Sequence, residues 1–265
     1  MSEQTTGSFP SAVTTEDFVR NIAQVKARIA AAAKRAGRRP DEVRLLPVSK
    51  TVPEERLRLA VAAGCDVLGE NKVQEALRKS REMADLGVSW SIIGHLQTNK
   101  AKDVAAFASE FQALDNLRAA EALDRRLQAA GRSLDVFVQV NTSAEESKYG
   151  LPPDEVPSFL ARLPQYGALR VKGLMTLALF TSDIDRVREC FVLLRTIRDR
   201  ARQDAPDGIG LDELSMGMSG DFETAIEEGA TVVRVGQAIF GARRTTDGLY
   251  WPPASPPAPG PGGGR

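Results

Sequence analysis

The chain alternates two kinds of apolar spacing. Short runs that are apolar throughout or at every second residue recur at 44–50, 66–70, 89–94, 111–115, 135–141, 169–176, 212–217 and 232–236. Such runs predict buried strands. Between them, apolar residues three and four apart predict amphipathic helices at 53–63, 71–86, 117–130, 184–203 and 219–229, with shorter ones near 98–108 and 153–163. A further helix at 15–36 precedes the first strand. Strand–helix alternation repeated eight times is the pattern of an α/β fold closed as a single (β/α)₈ TIM barrel, here with an extra N-terminal helix. A doubly wound open sheet would carry a glycine-rich phosphate turn after strand one, and "PVSKTVP" stands in that place.

A barrel puts its chemistry at the C-terminal ends of its strands, often with an anion site after strands seven and eight. Lys50 ends strand one, in phase with the apolar Leu46 and Val48. An ammonium among such neighbours is disfavoured, which frees the amine to attack a carbonyl. The bland alternative is a strand-end lysine reaching solvent. At the other end, "LSMGMSGDFETAIEEGATVVRVGQAIFG" puts Ser215, Gly217, Ser219 and Gly220 ahead of a helix, where backbone N–H groups face an anion. Ser219 would also serve as an ordinary helix cap. Arg234 lies among valines, two residues before Gly236, and an inward arginine needs acceptors for its hydrogen bonds. Strand eight closes on strand one, so amine and anion cradle become neighbours. Together they suit a small phosphorylated aldehyde or ketone, and a Schiff base to pyridoxal 5′-phosphate fits both halves.

Composition narrows the classes. Lys plus Arg and Asp plus Glu number 35 each, without long single-sign runs, which argues against nucleic-acid or polybasic membrane binding. One histidine and two cysteines in unrelated contexts leave no basis for a zinc site or a Ser-His-Asp triad. The first residues lack a secretory pattern and no apolar run is long enough to span a bilayer, so a reduced, cytoplasmic protein is expected. Residues 1–14 are read as a flexible N-terminus, 15–244 as the barrel, and the Pro- and Gly-rich 245–265 as a largely disordered tail.

Seven segments in order, "LLPVSKTVP", "LGENKVQEA", "IIGHLQTNKAK", "VQVNTSAEESKYG", "GLMTL", "LSMGMSGDFETAI" and "VRVGQAIFGAR", carry a resemblance to the YggS/PROSC family of pyridoxal phosphate homeostasis proteins, over about residues 15 to 244. The resemblance implies an alanine-racemase-like barrel with Lys50 forming the Schiff base. It places Asn71 near the cofactor and Met175 on the pocket lining. Ser219 and the backbone N–H groups of Gly236 and Gln237 would hold the phosphate, and Arg234 would face the pyridine nitrogen. Gln237 stands where many members carry Thr, which leaves the backbone contact in place. Ser91-Ile92 replaces the usual His-Phe. His95 stands where Pro is common, so it is assigned a pocket-wall or loop role, and Lys148 a solvated turn. An arginine facing the ring nitrogen does not favour the protonated ring, and the second domain that supplies a tyrosine in racemases is not expected. The implied role is therefore storage and delivery of pyridoxal phosphate, with transient contact to apo enzymes and a monomeric state. A racemase- or decarboxylase-like enzyme and a Schiff-base aldolase barrel are the alternatives.

Overall fold

The computed structural model describes residues 9–145 and 149–242; the expected tail and Lys148 lie outside the described residues. Eight strands follow one another: β1 (Arg44–Pro47), β2 (Val67–Glu70), β3 (Ser89–Ile92), β4 (Glu110–Leu114), β5 (Leu134–Gln139), β6 (Leu169–Met175), β7 (Glu213–Ser215) and β8 (Val232–Val235). All neighbouring pairs are parallel, and β8 lies beside β1 with Leu46 opposite Arg234 and Pro47 opposite Val235. The β1–β2 seam is closed by a Val48–Gly69 bridge and a Ser49 N–H to Gly69 carbonyl bond of 2.9 Å. This is the eight-stranded barrel that the alternation predicts.

The helices α1 (Thr15–Arg35), α2 (Glu54–Ala62), α3 (Val73–Glu82), α4 (Ala101–Phe107), α5 (Leu117–Ala129), α6 (Val156–Leu160), α7 (Ile184–Ala201), α8 (Phe222–Glu227) and α9 (Gln237–Phe240) cover the outside. The four-residue α9 is too short to shield the β8–β1 seam. α1 packs there instead, against α8, α9 and α2. Its Phe18, Ile22, Val25 and Ile29 are buried at helical spacing, and each such burial contributes about 1.5–3 kcal/mol. The Thr14–Asp17 capping box starts α1. Phe18 meets Phe240 edge-on at 5.6 Å, the Arg28 guanidinium lies 4.5 Å over the Phe222 ring, and Arg28 also pairs with Glu223.

Residues 9–13, within the segment expected to be flexible, lie against the barrel. Ala12 is buried, its carbonyl accepts from Arg56 Nε at 2.9 Å, and the Phe9 carbonyl accepts from Ala242 N–H at 2.9 Å. The expected helices near 98–108 and 153–163 are shortened by single 3₁₀ turns at Thr98–Lys100, Pro153–Glu155 and Leu163–Gln165. Pro152, Pro153, Pro157 and Pro164 deprive the second stretch of amide donors, which keeps α6 to a little over one turn.

Candidate functional site

Strand phase decides which side chains enter the barrel. In a parallel sheet, register partners point to the same face. Ser215 Oγ reaches Gln112 across the barrel, so the face shared by Ser215, its register partner Met175, and Gln139 beyond it is the inner one. The same reasoning places Arg44 and Leu46 of β1, Val48 just beyond it, Arg234 of β8, and Glu110 and Gln112 of β4 inside. Lys50 follows this phase but not the strand. β1 ends at Pro47, so the expected 44–50 strand is cut short by a turn in which Thr51 takes φ +66°. The ladder nonetheless runs on through Val48, whose N–H donates to the Val235 carbonyl at 2.9 Å.

Lys50 and Gly236 line one cavity of about 430 Å³ at the C-terminal mouth, with Val48, Val52, Arg56 and Phe240. Ser11 and Val13 of the N-terminal segment complete its wall. The amine and the start of α9 thus meet across the β8–β1 seam. Gln237 opens α9, and the Ser219 hydroxyl accepts from Ala238 N–H at 3.4 Å. Ser219 is not the cap of the following helix: α8 begins at Phe222, and Asp221 occupies the cap position. Asn71 follows β2 two residues beyond the inward Gly69 and is half-buried. Its backbone lies so close to Gly94 that a Cβ there would sit 2.2 Å from the Asn71 carbonyl oxygen. Met175 is fully buried on β6.

Below the mouth runs a directional hydrogen-bond chain. Arg234 is only 3% exposed; its Nη1 donates to Ser215 Oγ and its Nη2 to the Thr176 carbonyl, both at 2.7 Å. Ser215 Oγ donates to Gln112 Oε1 at 2.7 Å, and Gln112 Nε2 donates to Glu110 Oε1 at 2.6 Å. Glu110 also accepts from Ser91 Oγ at 2.6 Å and pairs with Arg44 at 2.7 Å. Ser215 therefore holds Arg234 from the C-terminal end of β7, and Ser219 lies in the loop that follows. Gln112 and Glu110 were not singled out from the sequence. The period-two pattern of "EFQAL" puts both on one face, and that was the available signal. Ser91, noted only as a departure, belongs to the same chain. Asp221 is buried near this charge: burial pushes its carboxyl up to about 6, opposed by a bond from Met218 N–H and by the Arg234 charge.

His95 stacks on Tyr149 with ring centroids 4.0 Å apart, and its Nδ1 lies 3.7 Å from Asp115 Oδ2. Its place after β3 is the loop position assigned from the sequence. Among the described residues no cluster of histidine, cysteine or carboxylate could hold a metal ion, both cysteines are buried thiols, and no helix is long and apolar enough to cross a membrane.

Comparison with known proteins agrees with this fold. The family described as "Alanine racemase, N-terminal domain" matches residues 21–244. A Pseudomonas aeruginosa protein named pyridoxal phosphate homeostasis protein is 44% identical over 223 residues, 84% of this chain and 94% of that one. Its namesake in Escherichia coli K12 is 41% identical over 237 residues, 86% and 97% of the two chains. PipY of Synechococcus elongatus, solved with PLP bound, superposes with a TM-score of 0.75 at 34% identity, covering 84% of this chain and all of that one. Alanine racemase of Clostridium difficile, at 14% identity and TM-score 0.65, shares the fold. The molecule is thus a barrel of the alanine-racemase N-terminal type. Within that class, the chain belongs to the family of pyridoxal phosphate homeostasis proteins.

Proposed function

We propose that this protein binds pyridoxal 5′-phosphate reversibly through Lys50 and acts in intracellular pyridoxal phosphate homeostasis, holding and releasing the cofactor. The carrying observation is that Lys50 and Gly236 face one cavity across the β8–β1 seam. The donor set suits a phosphorylated aldehyde. An amine and Gly236, at the start of α9, line the cavity. The Ser219 hydroxyl meets the Ala238 N–H of that helix outside the lining, and the buried Arg234 cation precedes Gly236 on β8. The relatives are named for homeostasis, and PipY was solved with PLP bound.

When bound, the cofactor supplies an aldehyde that primary amines capture reversibly. Lys50 offers such an amine from a half-buried turn whose apolar neighbours Val48 and Val52 keep water from its stem. The N–H groups of Gly236 and Gln237, with Ser219, hold the phosphate. Arg234 cannot give up its proton at ordinary pH, so with the ring nitrogen on its side it would keep a cation there and discourage a second proton. That weakens the electron withdrawal which amino-acid chemistry needs, and it suits a carrier. Asn71, half-buried after β2, and Met175, buried on the inner face of β6, would be the residues nearest the ring.

The test is reduction of the loaded protein with borohydride followed by peptide mapping. Label on the peptide containing Lys50, lost in Lys50→Ala, is the expected result. Label elsewhere, or equal labelling of Lys50→Ala, overturns the assignment.

A further inference from the structure

A buried lysine that the binding reaction does not use lies directly behind Lys50. Lys79 on α3 has a side chain 1% exposed, and its Nζ donates to Glu70 Oε1 at 2.7 Å, to Glu75 Oε1 at 2.8 Å and to the Ser49 carbonyl at 3.1 Å. Ser49 Oγ donates to the same Glu70 oxygen at 2.6 Å. Glu75 Oε1 accepts from Thr51 N–H at 3.1 Å. The peptides on both sides of Lys50 are therefore tied to one side-chain cluster.

Packing alone does not call for this arrangement. A buried ion pair is a poor stabiliser compared with apolar residues of similar volume. Glu70 Oε2 is buried without a hydrogen-bond partner, and burial raises the Glu70 pKa in spite of Lys79 and Ser49. Thr51 is β-branched at φ +66°, a conformation such residues avoid unless the surroundings impose it. The penalties gather at the two neighbours of a single residue, Lys50. We propose that Lys79, Glu70 and Glu75 are positioning residues: they clamp the Ser49 carbonyl and the Thr51 N–H, and so fix the direction in which the Lys50 amine enters the mouth. This inference rests on the reading that Lys50 captures the cofactor.

Stopped-flow absorbance on mixing apo protein with pyridoxal phosphate measures the rate at which the free aldehyde is consumed. Glu75→Ala removes the acceptor for Thr51 N–H and should slow that rate about tenfold, the scale of one charge-assisted hydrogen bond. Glu75→Gln keeps an acceptor oxygen and should restore it to within about twofold. The double variant Lys79→Met/Glu70→Gln removes the clamp on Ser49 and leaves one charge of the cluster, the partly exposed Glu75 carboxylate that still accepts from Thr51 N–H, and should be slowed at least as much as Glu75→Ala. If that variant does not fold, the Glu75 pair decides. Equal rates in Glu75→Ala and Glu75→Gln, or a lowered apo melting temperature with an unchanged rate, would show a merely structural cluster and overturn the proposal. Borohydride mapping of the wild type separates the two claims. Label at Lys50 with equal Glu75 rates ends this inference alone; no label at Lys50 ends both.

Discussion

Gln112 on β4 and Ser215 on β7 meet inside the barrel, with Ser215 Oγ donating to Gln112 Oε1 at 2.7 Å. Because Gln112 donates onward to Glu110, the Ser215 oxygen presents its lone pairs to Arg234. Gln112→Leu would leave the Ser215 hydroxyl and a Glu110 oxygen short of a partner. The expected loss is about 1–3 kcal/mol in urea unfolding, together with weaker cofactor retention as Arg234 loses its orientation. An unchanged unfolding midpoint and unchanged retention would count against the chain.

Gly94 makes room for the Asn71 backbone, since its Cβ would lie 2.2 Å from that carbonyl oxygen. A backbone atom cannot swing aside as a side chain can. Gly94→Ala should therefore push apart the turns after β2 and β3 and destabilise the fold by about 1–3 kcal/mol. Thermal unfolding of the apo protein checks this, and a wild-type melting temperature refutes it.

Asp221 makes stability depend on pH. Its folded carboxyl titrates near 6, above the ordinary carboxylate value, because it is buried. Between the unfolded and folded values the native state holds the extra proton, so this contribution is full at low pH and is lost as pH rises through about 6. Asp221→Asn keeps an acceptor for Met218 N–H but does not titrate. The stability of wild type relative to Asp221→Asn should fall across the interval from about 4 to 6 and then level off. A flat difference across that interval would show that Asp221 is not protonated in the fold.

The N-terminal segment is part of the cavity wall. Deleting residues 1–13 removes Ser11 and Val13 from the mouth and the Ala12 carbonyl from Arg56. The melting temperature should drop by about 2–4 °C, and bound pyridoxal phosphate should dissociate faster. Release at the wild-type rate would place the cofactor away from this wall.

Much of the fold was legible because strands and helices write their periods into the order of residues. Eight apolar runs at strand spacing appear within a few residues of eight strands, and the helix expected at 15–36 is found at Thr15–Arg35. The boundaries were less legible. A turn such as Ser49–Lys50–Thr51 is held by Glu75, a residue of the next helix but one, and nothing in the local sequence announces a β-branched residue at positive φ.

The candidate site divides along the same line. By itself the sequence determined which residue types stand at strand ends: an amine at Lys50, an arginine among valines at Arg234, small and hydroxylic residues at Ser215 to Gly220. Only the tertiary structure decided their partners. Ser215 turns inward to Gln112, 103 residues away, Arg234 is held by Ser215 and Thr176, and Lys79 lies behind Lys50. The physical reason is that local periodicity reports which face a side chain takes. A buried polar group must find its hydrogen-bond partner in space, and barrel closure brings those partners from strands far apart in the chain.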